Sequence, residues 1–430
     1  MHTTIGEISA KVGQEIEIRG WCYNLRSSGK IAFLQLRDGT GRIQGVAPKD
    51  KVSEETWEKI QSLTIESSVI VRGSVKEDPR SPSGFELSIT GIEPVQIAEE
   101  YPIGKKEHGP DFLLNNRHLW MRTERQASIL RVRDTIEFAF RDFMRKRGFV
   151  LADSPIFTPN ACEGTTDLFE VKYFDDTAYL SQSGQLYQEA TSAALGKTYC
   201  FGPTFRSEKS KTRRHLTEFW MLEAEASYMD WEENMQLQED MVAFVARRVL
   251  NECEKELKEL ERDTAPLERT AEGKFPRISH AEAVERLQKL GSDIKVGEDL
   301  GGDDETTLTK EFDRPLFVHH YPADIKSFYM EPDPNDPKLA LCNDLLAPEG
   351  YGEIVGGSQR IADLELLKRR IAEHKLPEEA FGWYMDLRRY GSVPHSGFGI
   401  GLERTVGWMC GIEHVRETTP FPRLLNRINP

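Results

Sequence analysis

The sequence predicts an α+β protein of more than one domain, and three observations carry that prediction. Residues 1 to about 97 are a series of β-rich runs bounded by turn residues. A long amphipathic helical pattern follows, from Thr123 to about Arg147. Beyond it FRSEKSKTRRHLTEFWMLEAE, Phe205 to Glu225, reads as two strand-like flanks around a charged tip. At 430 residues the chain is too long for one small core, so two or three domains are expected.

Composition bounds the function classes. No apolar run approaches about 18 residues, which excludes a helix of membrane-spanning length. The start MHTTIGEISAKVGQ lacks an apolar signal core, so a cytoplasmic protein is expected. Six cysteines, at 22, 162, 200, 253, 342 and 410, form no CxxC pair, which argues against a zinc site and a disulfide framework. The net charge is −15, but much of the acid lies between Trp231 and Asp313, while the hairpin tip and the N-terminal region are locally basic. Charge alone neither supports nor excludes RNA, because binding depends on the local patch.

Taken in order, EIEIRGWCYNLR, IAFLQLRDGTGRIQGVAP, SSVIVRGSVKED and GFELSITGIEPV supply about five short strands. The DG turn in LRDGTGRIQ marks a hairpin. One helix, Glu54 to Leu63, completes a pattern that fits an OB-fold β-barrel over residues 1–97. Such barrels bind single-stranded nucleic acid by stacking bases on aromatic rings. Phe33 is the stacking candidate, with Arg26, Gln44 and Glu86 as edge readers; the alternative is that Phe33 belongs to the core. Residues 98–122 read as a Pro/Gly-bearing hinge. The helix that follows presents Ile129, Val132, Ile136, Phe140 and Phe143 on one face and stops at Gly148. FVLADSPIF then reads as a strand whose Pro155 confines it to an edge or an interface. Residues 231 to about 315 are mostly helical and acidic, an insertion without catalytic pattern.

The chemistry-bearing residues fall in the remaining stretches. Arg206 and Glu208 stand two apart, which on a strand puts them on one face. The tip carries Lys209, Lys211, Arg213, Arg214 and His215, and Phe219 follows on the return. Arginine forks meet phosphate oxygens, and an aromatic plate stacks on a base, so the hairpin suits a nucleoside triphosphate; the alternative is a solvated surface hairpin. Glu163 sits in a Gly/Thr-rich turn, and Gln182, Ser183, Gln185 and Gln188 surround Gly184 at a helix start. Asp344 and Glu353 are close in sequence, with Arg360 beyond; two carboxylates offer hard oxygens to magnesium on phosphates. GFGIGLER brings Gly397, Gly399 and Gly401 before Arg404, without the GxGxxG or P-loop patterns.

These stretches carry a resemblance. FRSE…RHLTEF resembles the second signature of the class II aminoacyl-tRNA synthetases, and GFGIGLER resembles the third. The helix ending at Gly148 with Pro155 beyond it resembles the first, which forms the dimer interface in that family. The order matches over the whole chain, with an N-terminal OB domain as in the aspartyl, asparaginyl and lysyl subgroup. QSGQLY, EFWMLEAE and GEIVGGSQR are similar to its bacterial asparaginyl members. The resemblance implies a catalytic domain over 123–430, built on a six-stranded antiparallel sheet flanked by helices, with the insertion at about 231–315. It implies ATP, magnesium, L-asparagine and tRNA-Asn as ligands and a homodimer, with no membrane or DNA partner. Arg206 is then the α-phosphate contact, Phe219 the adenine stack, and His215 and Arg404 the β/γ contacts. Glu208 lies near the adenine or the tRNA terminus, and Asp344 and Glu353 bind magnesium. Glu163 and Gln185 hold the amino acid's ammonium and carboxylate, and Arg360 reaches its side-chain oxygen.

Two departures from the aspartyl pattern bear on the substrate. Aspartyl enzymes read QSPQ followed three residues later by a lysine, where this chain has Gln188; they read LDxE where this chain has Leu222, Glu223, Ala224 and Glu225. Glu223 is therefore expected to accept from a substrate amide. A serine that assists the metal in many aspartyl enzymes is Gly356 here, so a second magnesium is expected to be held differently. An aspartyl enzyme, a tRNA-independent asparagine-forming relative and a catalytically dead RNA binder are the competing readings. The barrel argues against the second, and Arg206, Glu208, Phe219, Glu353 and Arg404 together argue against the third.

Overall fold

The computed structural model describes residues 2–81, 83–104, 106–159, 168–210 and 212–430. The chain divides into two compact units, the first ending at Pro110 and the second beginning at Asp111.

In the first unit β1 (Glu15–Ser27), β2 (Ile31–Arg37), β3 (Arg42–Pro48), β4 (Ser68–Glu77) and β5 (Phe85–Gln96) close a barrel in the order β1-β2-β3-β5-β4. Alternation decides which face turns inward: Ile16 and Ile18 flank Glu17, Leu34 and Leu36 flank Gln35, and these four are buried with Ile43, Val69 and Val71. The helix Glu54–Gln61 starts where the Ser53 hydroxyl accepts from the Thr56 N–H, and it buries Trp57 and Ile60. This is the expected OB-fold barrel.

The second unit is built on a sheet of eight strands rather than six. β6 (Val150–Leu151) begins one edge. β10 (Lys197–Phe205), β11 (Glu218–Ser227), β13 (Leu316–His319), β14 (Cys342–Ala347), β15 (Gly352–Arg360) and β16 (His395–Gly401) form the antiparallel interior, and β12 (Arg277–Ser279) lies at the other edge. The order is β12-β13-β14-β15-β16-β11-β10-β6, and the two edge strands run parallel to their neighbours. The expected six antiparallel strands are thus the interior. The FVLADSPIF run divides: β6 joins this sheet, whereas β7 (Phe157–Thr158) pairs with β9 (Asp176–Leu180) in a small sheet with β8 (Glu170–Tyr173). Pro155 falls between the two pieces, where no ladder N–H is needed.

Helices cover the sheet. Glu124–Lys146 packs Ile129, Val132, Ile136, Phe140 and Phe143 into the main core. Trp231–Glu252 opens with a capping box from Asp230 and Glu233 and buries Met235, Met241, Val242, Val245 and Val249 in the same core. The stretch read as a helical insertion therefore contributes to the core, with Leu257 and Leu267 from the two helices that follow, and supplies the edge strand β12. The cysteines at 22, 200, 253, 342 and 410 are buried free thiols. No helix among the described residues is long and apolar enough to cross a membrane.

Candidate active site

β10 and β11 pair from Lys197↔Ala226 to Phe205↔Glu218, so the basic tip leaves the sheet at Phe205. The Arg206 N–H adds one more contact, to the Thr217 carbonyl at 3.0 Å. Arg206 and Glu208 therefore sit in the loop, not on a strand as expected, because β10 ends one residue earlier. Arg206 still reaches a cavity of about 340 Å³ at the sheet's centre, whereas Glu208 is not part of its lining. The Arg206 guanidinium lies over the Phe219 ring, 5.3 Å from its centroid.

The cavity gathers most of the residues singled out from the sequence: Arg206, His215, Phe219, Asp344, Glu353 and Arg404 at one end, Gln185, Glu223 and Arg360 at the other. Ridges of sequence far apart converge because β11, β14, β15 and β16 lie side by side. Gly399 and Gly401 line the cavity, whereas Gly397 faces Glu225.

At the first end cations and carboxylates interleave. Arg404 donates to the Glu353 carbonyl at 2.9 Å and to its carboxylate at 3.2 Å. Asp344, on the neighbouring strand opposite Gly356, accepts from Lys326 at 3.1 Å. Burial pushes Asp344 up to about 6, with Glu353 adding and Lys326 opposing. Burial would raise Glu353 as well, but Arg404, Lys326 and Arg206 outweigh it and hold its carboxyl below the usual range. His215 shares a hydrogen bond with the Thr212 hydroxyl. Burial first, then the charges of Arg404, Arg206 and Arg214, push its pKa below the usual value.

The other end is a buried charge network. Arg360, 3% exposed, forks onto Glu225 at 2.5 to 3.2 Å and donates to Ser358 at 2.6 Å. Glu223 accepts from the Ser183 hydroxyl and from the Gly184 N–H at 2.8 Å. Gln185 donates to Glu189 at 3.1 Å, and Glu189 also accepts from Tyr384, Arg388 and His395.

Like Glu208, Gln188 lies off the cavity lining. Gln188 is fully buried and donates to the Ala152 carbonyl at 2.6 Å and to Ser154 at 3.0 Å. Those bonds tie its helix, Gln185–Leu195, to the loop after β6 and turn its amide away from the cavity, so it is a tether and not a lining group. Glu163 lies outside the described residues.

Sequence reasoning gave no site role of their own to Lys326, Arg214, Glu305, Glu225 and Glu189, Arg214 being read only as one of the charges of the basic tip. Glu305 accepts from Arg214 at 3.0 Å and from the Glu353 N–H at 3.1 Å; burial and Glu353 push it up to about 7. Two of the five had a signal. Glu225 stands two residues after Glu223 on β11, hence on the same face. Glu189 stands four after Gln185 on a helix, hence beside it. Lys326, Arg214 and Glu305 are recruited by tertiary structure alone.

In the barrel unit Phe33 is 37% exposed between buried Ala32 and Leu34, so it is not core. It shares an open surface hollow with Arg26 and Gln44, and Gln44 reaches Glu86 at 3.4 Å. The four predicted readers thus cluster on one outer face.

The chain as a whole is similar to known proteins. A family model described as class II tRNA synthetases (D, K and N) matches residues 109–425, and one described as an OB-fold nucleic acid binding domain matches residues 16–95. The asparagine–tRNA ligase of Pelotomaculum thermopropionicum is 59% identical over 97% of both chains. That of Thermus thermophilus is 55% identical over 100% of both. The crystal structure of asparaginyl-tRNA synthetase from Pyrococcus horikoshii complexed with asparaginyl-adenylate superposes with a TM-score of 0.96, at 46% identity over 100% of this chain and 99% of that one. The chain belongs to the class II tRNA synthetases, within their asparagine–tRNA ligase branch.

Proposed function

We propose that this chain ligates L-asparagine to tRNA-Asn in two steps. Asparagine's carboxylate attacks the α-phosphorus of ATP, releasing pyrophosphate and leaving asparaginyl-adenylate. A terminal ribose hydroxyl of the tRNA then takes the acyl group, and AMP leaves. The observation that carries this reading is that Glu223 and Arg360 both line one end of a cavity whose other end is lined by Arg206, Arg404 and Phe219. An amide has one acceptor oxygen and one donor NH₂, and a guanidinium with a carboxylate matches both. Arg206 meets the α-phosphate, Phe219 stacks on adenine, and His215 and Arg404 hold the β/γ end. Glu208 is assigned to the adenine or the tRNA terminus, and Gln185 with Glu163 to the asparagine's ammonium and carboxylate. No covalent nucleophile is needed, because positioning and charge neutralisation lower the barrier.

Asp344 and Glu353 suit magnesium. Their carboxylates flank Gly356, where a side-chain Cβ would lie 3.2 Å from Glu353 Oε1 and 3.8 Å from Asp344 Oδ1. Such a pair of hard oxygens would hold the ion, which when bound neutralises phosphate charge.

Pyrophosphate exchange with asparagine and aspartate assayed separately tests the function. Asparagine is expected to be activated far better, because an aspartate carboxylate would confront Glu223. Discrimination of this kind, against a buried partner left unmatched, reaches about 10⁴. Glu223→Gln should erode it. Equal activation of both amino acids by the unaltered protein would identify a non-discriminating aspartyl enzyme instead.

The barrel face is assigned to an anticodon of the type GUU, with Phe33 stacking on the central uridine, Gln44 at its edge and Arg26 and Glu86 beside it. Stacking is worth about 1–3 kcal/mol per base. Phe33→Ala is therefore expected to lower tRNA charging about tenfold or more while pyrophosphate exchange without tRNA stays unchanged. A parallel fall in both reactions counts against the assignment.

A cytoplasmic homodimer is proposed, built on the Thr123 to Pro155 region. Phe138 on the helix Glu124–Lys146, Val150 and Leu151 on the edge strand β6, and Ile156 and Phe157 just beyond are exposed apolar side chains that a second copy would cover. Sedimentation should give a dimer at micromolar concentration, and an active monomer there would contradict it.

A further inference from the structure

We propose that Ser183 and Gly184 are positioning residues for substrate choice: their turn clamps the Glu223 carboxylate in the bearing that accepts the amide of asparagine. The proposal rests on the asparagine reading above and extends it to residues that need not touch the substrate's side chain.

The clamp is made of donors whose directions are fixed. The Ser183 hydroxyl donates to Glu223 Oε1, and the Gly184 N–H donates to Oε2 at 2.8 Å. Ser183 Oγ in turn accepts from the Gln185 N–H at 3.1 Å. With that contact filled, the only hydrogen on the hydroxyl is committed to Glu223. The turn itself is pinned by Ser181, whose hydroxyl donates to the Ser183 carbonyl at 2.7 Å. Ser183 and Glu223 are each 5% exposed, so water does not replace these contacts. Hydrogen bonds to an ionised group in such surroundings are among the stronger ones.

Glycine is required at 184 for the backbone to come this close. A Cβ there would lie 2.6 Å from Cys200 Sγ and 2.8 Å from Ser154 Oγ. Any side chain, or a proline that also lacks the N–H, would push the turn off Glu223. Across the cavity Arg360 is fixed in the same way, by Glu225 and Ser358. The two recognition groups are therefore a fixed acceptor and a fixed donor. Asparagine satisfies both. Aspartate, an acceptor at both oxygens, meets a carboxylate that the clamp holds in place. Loss of the clamp lets Glu223 swing away, which weakens asparagine binding and relieves the clash with aspartate together.

The test is a double-mutant cycle in pyrophosphate exchange. Wild type, Ser183→Ala, Glu223→Gln and the double variant are each assayed with asparagine and with aspartate. Ser183→Ala is expected to cut the asparagine-over-aspartate ratio of kcat/KM about tenfold or more, as befits a lost hydrogen bond to a charged group. The loss should appear in KM for asparagine, with KM for ATP unchanged. In the Glu223→Gln background the same substitution should change the ratio less than about twofold, since the two residues act as one unit. Ser183→Cys, close in size with a weaker donor, guards against misfolding of the alanine variant, and the order Ser, Cys, Ala supports the clamp. An eroded ratio in Glu223→Gln with a ratio within about twofold of wild type in both Ser183 variants overturns the clamp alone. Equal, additive losses in both backgrounds also overturn it. A Glu223→Gln protein with its preference intact overturns the role of Glu223 and the clamp with it, whereas equal activation of both amino acids by the wild type overturns the asparagine reading itself.

Discussion

Arg206→Ala and Glu353→Ala are each expected to lower asparagine-dependent pyrophosphate exchange by about 10²–10³, with the fold intact. Both side chains line the cavity where the triphosphate is assigned. Charge develops on the α-phosphate oxygens as the carboxylate attacks, and a fixed guanidinium meets it without reorganisation. Loss of one such contact costs about 2.7–4 kcal/mol in the transition state. In the proposed mechanism Glu353 acts through charge as well as by holding magnesium: its carboxylate holds Arg404 at 3.2 Å, and its carbonyl holds the same group at 2.9 Å. In Glu353→Ala the backbone contact survives, so Arg404 keeps part of its bearing while the hard oxygen is lost. The Arg404–Glu353 pair is partly solvated, so its removal costs little stability. Thermal melting should therefore change little while exchange collapses. Near-normal exchange in either variant would remove the residue from the mechanism, and a collapse of melting along with activity would mark it as structural.

What could be read from the sequence divides along physical lines. The barrel was legible because its strands are half-buried: Ile16, Ile18, Leu34 and Leu36 alternate with polar neighbours, and the period of two survives in the chain. The interior strands β10, β11, β15 and β16 were legible through their turn and glycine patterns and a family resemblance. The edge strand β12 was not, since three residues carry no periodicity, and β6 was read only as part of the longer run FVLADSPIF. At the site, residues with distinctive local chemistry were recovered: the basic tip, the glycine-rich strand and its arginine, the paired acids. Gln188 was misplaced because spacing along a helix gives its face but not what competes for its amide, and the Ala152 carbonyl won. The residues that escaped are mostly those that support others. Glu225 and Glu189 hold Arg360 and Gln185, and an acid on a strand or helix looks like any other until its buried partners are known.

Glu189→Ala is expected to be the most destabilising single change in the substrate end of the cavity. Glu189 is fully enclosed, and its two oxygens accept from Gln185, both ways from Tyr384, from Arg388 at 2.7 Å and from His395 at 3.0 Å. Arg388 is itself completely buried. Truncation leaves that guanidinium without its carboxylate in a place water cannot reach, and breaking such a pair costs about 3–5 kcal/mol. For a unit of this size the melting temperature should fall by roughly 5–8 °C. Glu189→Gln keeps the volume but removes the charge and should lose much of the same stability. Its pH dependence separates charge from packing. Burial opposes ionisation of Glu189, but Arg388 and His395 outweigh it and hold the carboxyl well below the usual range. A carboxyl depressed in the folded state stabilises fully above its unfolded pKa, about 4.3, and loses that contribution as pH falls through the folded value. The stability gap between wild type and Glu189→Gln should therefore be flat from about pH 8 to pH 5 and close only in stronger acid. A gap that closed near neutral pH, or an alanine variant melting within about 1 °C of wild type, would show that Glu189 does not anchor the wall on which Gln185 and Arg360 stand.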